Sequence, residues 1–362
     1  MGRCKLEEFI SYEQPTKYIV DSDQYDDSYK IPVLTAGKSF ILGYTDEKNN
    51  IFDNLPVIIF DDFTTSVQFV DFPFKVKSSA MKLLKNTEQA DIKYCYYLLK
   101  FLQHTPENHK RQWLSATSQN IVELPIIEKQ KNIVRKLDKI LEVIDNQNKQ
   151  LELLDEAIKA RFVEMFGTIY DKKFDMKTLP DIVSSDKNSI KRGPFGGALK
   201  KEDFLEDGYM VYEQRHAIHE DFKYAKYYVS PEKYESMIGF KVVPGDLIIS
   251  CSGTLGRIAE VPMGAKEGII NQALLKISLN KDIMNNQFFI YQFRCKEIQD
   301  MLFGISRGSG IANMPSMNEV KAFKFICPPL ELQNQFASFV KEIDKSRLLS
   351  NHSLFLIKSI IF

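Results

Sequence analysis

Residues 126–166 contain neither glycine nor proline, and their apolar side chains fall at Ile133, Leu137, Ile140, Ile144, Leu151, Leu154, Ile158 and Met165. The steps alternate four and three, with Gln147 and Arg161 at the two positions that complete the series. This is the a/d seam of a heptad repeat, a narrow apolar stripe that needs a partner helix. Gly167 ends the run, as a helix C-terminus favours. At 1.5 Å per residue such a helix extends roughly 60 Å, whereas a domain helix averages only ~11–12 residues. Gln147 is read as a polar layer that fixes register, or as a place where the helix bends and turns this side chain to water.

A repeat supplies the partner. Leu124-Pro125-Ile126-Ile127-Glu128-Lys129-Gln130 matches Cys327-Pro328-Pro329-Leu330-Glu331-Leu332-Gln333, with Pro, Glu and Gln recurring at an offset of 203 (328 − 125). Downstream, Leu137-Asp138-Lys139 meets Ile343-Asp344-Lys345. The second helix runs from about 331 onward, roughly 45 Å. Its seam reads Phe336, Val340, Ile343, then Leu354, Ile357 and Ile361, with a gap between 344 and 353. The order is globular unit, long helix, globular unit, long helix. If the seams pair, the second helix runs back toward the first unit. Connectivity therefore favours an antiparallel pair with a head at each end; packing of each helix on its own domain is the alternative.

The expected division is a first head, 1–122, a helical region, 123–167, a second head, 168–325, and a second helical region, 326–362. The heads read as β-rich: Leu55–Phe60, Val67–Val70, Asp246–Ser250 and Ala273–Ile277 have strand character. Short helices are expected over 88–103 and 284–302. The fold class expected is α+β: two β-rich globular heads and two long helices in an antiparallel coiled coil, pseudo-two-fold symmetric.

Lys+Arg and Asp+Glu both number 48, so the net charge is zero and any nucleic-acid surface must come from local clustering. The five cysteines form no C-x-x-C pair, which argues against a zinc site or disulfide framework and fits a reducing cytoplasm. The N-terminal residues lack the apolar core of a signal peptide, and no apolar run approaches the 18 residues of a membrane span. The expected location is therefore cytoplasmic, with no membrane partner.

Several segments carry a resemblance. The first head holds Pro32–Thr45 and Pro56–Thr65; the second holds Arg192-Gly193-Pro194-Phe195-Gly196, Gly245–Arg257 and Ile269-Ile270-Asn271-Gln272. With the two Pro-x-x-Glu-x-Gln helix starts, these resemble the specificity subunits of type I restriction-modification enzymes. That family has two target-recognition domains alternating with two conserved helical regions. The resemblance implies a non-catalytic DNA-binding subunit in which each head reads one half of a split, asymmetric site. The helices would act as a spacer ruler and as a dock for two methyltransferase (M) subunits. S-adenosylmethionine would then sit on those partners, with no cofactor on this chain, and separate restriction/motor (R) subunits would cleave double-stranded DNA.

Candidate DNA-binding residues in the first head are Thr35, Gly37, Lys38, Tyr44, Thr64, Thr65, Lys110 and Arg111. In the second they are Lys191, Arg192, Ser252, Gly253, Thr254, Arg257, Asn271, Gln272, Arg307 and Ser309. Gly37-Lys38-Ser39 imitates the end of a phosphate-binding P-loop, but Pro32 stands where that motif needs glycine. A turn offering Lys38 to a DNA phosphate is the functional reading, and an ordinary turn the other. In Ser252–Arg257 two glycines permit close backbone approach and Arg257 can reach a guanine edge or a phosphate. The stretches 109–113 and 306–310 are basic or polar and lie at comparable places before the two helix-start prolines.

Catalytic signals are missing. Asp61-Asp62 lacks a third carboxylate or lysine at nuclease spacing. Asn54-Leu55-Pro56-Val57 and Asn313-Met314-Pro315-Ser316 lack the second proline and aromatic residue of an adenine methyltransferase. His216 and His219 are the closest approach to a metal pair and are read as surface residues; no metal site is expected. Two further readings fit the same residues: a specificity subunit serving a fused methylase-nuclease of another restriction type, and a coiled-coil interaction scaffold without a DNA role.

Overall fold

A computed structural model describes residues 2–35, 37, 39–106, 111–168, 171, 173–304 and 314–361. The chain divides into two compact units, Met1–Asn146 and Gln147–Phe362, so the division falls inside the first long helix.

In the first unit, β1 (Gly2–Lys5) pairs antiparallel with β9 (Ile121–Leu124), closing the head just before the helix. Between them lie β2 (Ile10–Glu13), β3 (Ile31–Leu34), β4 (Ile41–Thr45), β5 (Val57–Asp61), β6 (Val67–Val70), β7 (Lys75–Val76) and β8 (Met81–Asn86). They form one sheet ordered β2-β8-β5-β6 and another ordered β4-β3-β7, in which β3 and β7 are parallel. Strand β5 is buried along its whole length, as its unbroken Val-Ile-Ile-Phe run requires. The period of two sends Ile58 and Phe60 into a core with Leu99 and Trp113, and Val57 and Ile59 into another with Phe52 and Phe74.

The second unit repeats this plan. Strand β10 (Met176–Thr178) pairs with β19 (Lys324–Ile326). Between them come β11 (Ile190–Arg192), β12 (Tyr209–Tyr212), β13 (Tyr228–Val229), β14 (Lys241–Val242), β15 (Leu247–Ser250), β16 (Ile258–Glu260), β17 (Gly268–Ile270) and β18 (Leu274–Ile277). The sheets are β11-β18-β15-β16 and β13-β12-β17-β14, with β12 and β17 parallel. Strand β15 again divides two cores: Leu247 and Ile249 face Phe288 and Phe325, and Ile248 faces Tyr212 and Ala259. Strands β2, β3, β5, β6, β7 and β8 therefore correspond in order and pairing to β11, β12, β15, β16, β17 and β18.

The helix expected over 88–103 is Ile92–Phe101. The one expected over 284–302 is two, Asn286–Arg294 and Lys296–Phe303, broken at Cys295, whose ψ of 139° is extended. Gln299 Nε2 donates to Phe293 O at 2.6 Å, satisfying a carbonyl that the break frees.

The first long helix spans Ile127–Phe166 and the second Leu330–Ile361. Gln130 and Gln333 are fully buried at their starts and make the same three hydrogen bonds. Gln130 Oε1 accepts from Asp91 N at 2.8 Å, and its Nε2 donates to Gln89 O and Pro125 O at 3.1 and 2.7 Å. Gln333 Oε1 accepts from Asn285 N at 2.9 Å, and its Nε2 donates to Ile283 O and Pro328 O at 3.0 and 2.7 Å. Asp91 and Asn285 are the N-caps of Ile92–Phe101 and Asn286–Arg294. Each glutamine thus fastens its long helix to the cap of the helix that precedes it. In the first unit Asp138 adds an ion pair with Lys93 at 2.7 Å and a hydrogen bond from Tyr97.

Every seam residue named in the first helix is wholly or partly shielded, and Ile158 is buried. In the second helix Phe336, Val340, Ile343, Leu354 and Ile357 are shielded likewise, and Arg347 and Ser350 fill the gap between 344 and 353. The seam is therefore continuous, with polar residues in two of its layers. Within the second unit the pairing is antiparallel: Phe162 meets Phe336 with ring centroids 5.4 Å apart, while the earlier Asp155 meets the later Arg347. Phe288 and Tyr291 complete this aromatic junction. Gln147 Oε1 is buried with no hydrogen-bond partner among the described residues, so this oxygen is not turned to water. Among the described residues no helix is long and apolar enough to cross a membrane.

Candidate nucleic-acid interface

Sheet register gathers four loops of the second head at one end. Arg192, at the end of β11, lies opposite Leu275, and Ser250, at the end of β15, lies opposite Leu274. Tyr212 and Ile270 end the parallel strands β12 and β17 side by side. The segments after these strands, 193–199, 213–214, 251–257 and 271–273, therefore emerge together. Gly193 packs directly on the last of them: a Cβ there would lie 1.8 Å from Asn271 O. Ser252 Oγ approaches Gln214 Oε1 at 3.4 Å.

Most of the residues named in this head meet here. Thr254, Arg257 and Gln272 are exposed, as is Gly253, whose φ of +64° is the left-handed conformation glycine tolerates. Ser250 supports the loop by donating from Oγ to Thr254 O at 2.6 Å and accepting from Arg257 N at 3.0 Å. Asn271 Oδ1 accepts from Ala273 N at 3.0 Å, so that side chain is partly committed to shaping its own turn. Lys191 and Arg192 are half-buried, with Lys191 Nζ 4.7 Å from the Phe240 ring and Arg192 5.6 Å from that of Phe195. Burial holds the nearby Cys251 thiol up at about 12, against a smaller opposing pull from Arg192, so it stays neutral.

The first head builds the same end from different side chains. Three backbone hydrogen bonds recur. Lys77 N donates to Leu34 O as Asn271 N does to Tyr212 O, at 2.9 Å in both. Asp62 N donates to Ala80 O at 3.2 Å as Cys251 N does to Ala273 O at 2.8 Å. Gln112 N donates to Asp62 O at 2.8 Å as Met314 N does to Cys251 O at 3.4 Å. Thr35, Gly37, Thr64 and Arg111 accordingly belong to this end. Gly37 N donates to Thr35 Oγ1 at 3.0 Å, and Arg111 and Thr64 are exposed.

The surface reading of His216 is corrected, and several other named residues are held within the fold. Thr65 is buried at a φ of 57°, and its hydroxyl donates to His104 O at 2.6 Å, so it holds the turn from inside. Tyr44 lies half-buried within β4, opposite Pro32. His216 is wholly buried: Nδ1 accepts from Glu213 N and Nε2 lies 2.9 Å from Tyr224 O, so it caps a short helix and is no surface group. Asp61 and Asp62 are structural. Asp61 Oδ1 accepts from Phe63 N and Thr64 N, while Asp62 pairs with fully buried Lys82 at 3.1 Å and accepts from Trp113 N. Lys38, Lys110, Arg307 and Ser309 lie outside the described residues. Among the described residues no cluster of His, Cys, Asp or Glu could hold a metal ion.

The family described as "Type I restriction modification DNA specificity domain" matches residues 172–357, half of the chain. The chain belongs to this family. It is 49% identical over 147 residues to the type I restriction enzyme EcoR124I/EcoR124II specificity subunit of Escherichia coli. That match covers 37% of this chain and 36% of the relative, so the chain spans just over a third of that relative's length. The fold matches the type I restriction-modification S subunit from M. genitalium with a TM-score of 0.60 at 15% identity, covering 99% of this chain and 93% of that one. A chain from a structure of type I restriction-modification complex assembly and conformational transition gives 0.55 at 12% identity, covering 99% and 95%.

Two further residues stand at the loop end that were not among the candidate contacts: Phe195, within a segment that carried the resemblance, and Gln214. Phe195 is 70% exposed between buried Pro194 and the left-handed Gly196 and Gly197. The Pro-Phe-Gly-Gly order was the available signal. Gln214 reaches the end because β12 runs parallel to β17, which nothing local announces.

Proposed function

We propose that the chain is the DNA-reading subunit of a type I restriction-modification complex, each head contacting one half of a split site. The observation that carries this is the repeated loop end. The same backbone framework occurs in both units and presents different exposed side chains, Arg111 and Thr64 in one, Arg257, Thr254 and Gln272 in the other. A shared frame with divergent side chains suits two separate sequences. The side-chain types also suit DNA reading, since arginine reads guanine edges, glutamine reads adenine, and both contact phosphates. The long helices serve as the dock for two methyltransferase subunits and as the spacer between half-sites. In this reading, methylation from S-adenosylmethionine and cleavage by restriction subunits take place on those partners, and this chain catalyses neither. Mapping methylated bases genome-wide, in cells expressing this chain with its methyltransferase, tests the proposal. A two-part asymmetric motif with a fixed gap is expected. A single undivided motif contradicts it, and a purified complex that does not retain DNA at low salt favours a scaffold without a DNA role.

A further inference from the structure

The turn joining β7 to β8, Lys77-Ser78-Ser79, carried no functional signal in the sequence, yet it occupies the place in the first head that Asn271-Gln272 occupies in the second. Two independent backbone bonds fix the equivalence: Lys77 N to Leu34 O matches Asn271 N to Tyr212 O, and Asp62 N to Ala80 O matches Cys251 N to Ala273 O. The turns are also shaped alike. Ala80 N donates to Ser78 Oγ at 3.4 Å, as Ala273 N donates to Asn271 Oδ1 at 3.0 Å. Ser78 is exposed, and Lys77 is part-exposed, ion-paired with Asp23, whose side chain is 76% exposed.

We infer that this turn is a DNA-contacting element of the first head, with Lys77 exchanging the Asp23 carboxylate for a backbone phosphate and Ser78 offering its hydroxyl beside it. The inference rests on the DNA-reading function proposed above. An exposed lysine–carboxylate pair is worth little in water, so exchange for a phosphate costs little and releases a counterion. Asp23 then acts as an internal competitor. It holds the lysine oriented in the free protein and lowers affinity for any duplex that does not engage the rest of the head.

Lys77→Ala, Asp23→Asn and the double variant, each assembled with the methyltransferase, are to be titrated with the duplex that the wild-type complex methylates, across a range of salt. Lys77→Ala should weaken binding severalfold and reduce the salt slope by about one unit. Asp23→Asn should tighten binding severalfold, and that gain should vanish in the double variant. Unchanged affinity and slope in Lys77→Ala overturn the inference. So does an Asp23→Asn gain that persists undiminished without Lys77, because Asp23 would then act only as a background charge. Failure of the wild-type complex to bind any duplex strikes the proposed function and not this turn. Ser78→Ala, on an exposed site, supplies a second variant: a loss confined to DNA binding is expected, and no loss counts against the hydroxyl contact.

Discussion

Truncating Gln130 to alanine should loosen the joint between the first head and its helix without touching any exposed surface. The side chain is fully buried and makes three hydrogen bonds, at 2.7 to 3.1 Å, to one backbone N–H and two carbonyls. A hydrogen bond contributes about 1 kcal/mol net, and a buried group left without its partner costs ~1–3 kcal/mol. The three together set a loss of about 3 kcal/mol. Two compact units make a single melting curve hard to read as one equilibrium, so amide hydrogen exchange is the suitable assay. The Asp91 amide, which donates to this side chain, should exchange about a hundredfold faster, at one decade per 1.4 kcal/mol. The Asn285 amide, held by Gln333 in the other unit, should not change, and Gln333→Ala should reverse the pattern. Gln130→Glu should be at least as damaging near neutral pH, since a carboxylate accepts from Asp91 N but cannot donate to the two carbonyls. Protonation restores a donor, and burial raises the pKa of such a carboxyl, so stability should recover as pH falls. If Asp91 and Asn285 exchange alike in wild type and both alanine variants, the glutamines do not fasten the helices.

Lys82→Ala should destabilise the first unit by about 3–5 kcal/mol, because it leaves the Asp62 carboxylate buried without its countercharge; a denaturant midpoint equal to wild type would contradict this. Gly193→Ala should displace the 193–199 loop from Asn271, since the added carbon would lie 1.8 Å from Asn271 O. Base preference should then degrade only in the half-site read by the second head, as scored by the methylated motif. Arg257→Ala, on an exposed side chain, should leave stability within ~0.5 kcal/mol. It should weaken DNA binding by ~1–3 kcal/mol with one base relaxed if it reads a base, or lower the salt slope by about one if it contacts phosphate. Wild-type affinity and slope would remove it from the interface.

The two long helices were legible because heptad spacing is local: the first was bounded at 126–166 in the sequence and lies at Ile127–Phe166. The seam of the second was not fully legible because Arg347 and Ser350 hide it. Arg347 enters a seam by pairing its charge with Asp155 and Asp344, one of them on the other helix. The Pro-x-x-Glu-x-Gln repeat was visible, but the role of its glutamine was not, since Asp91 and Gln89 lie some forty residues away. Among the candidate contacts, glycine-bearing turns such as Ser252–Arg257 were readable from their composition. Lys77–Ser79 and Gln214 were not, because parallel pairing of β3 with β7 and of β12 with β17 places them. Thr65 and His216 look polar and available in sequence; each is instead consumed by a backbone group that folding brings to it.

The central claim is that the two units carry separate readings of DNA on one repeated framework. Exchanging residues 168–325 for the corresponding segment of a relative, then mapping methylated bases genome-wide with the same methyltransferase, tests it most directly. One half of the two-part motif should change while the other half is retained. A change in both halves, or in neither, would contradict the account.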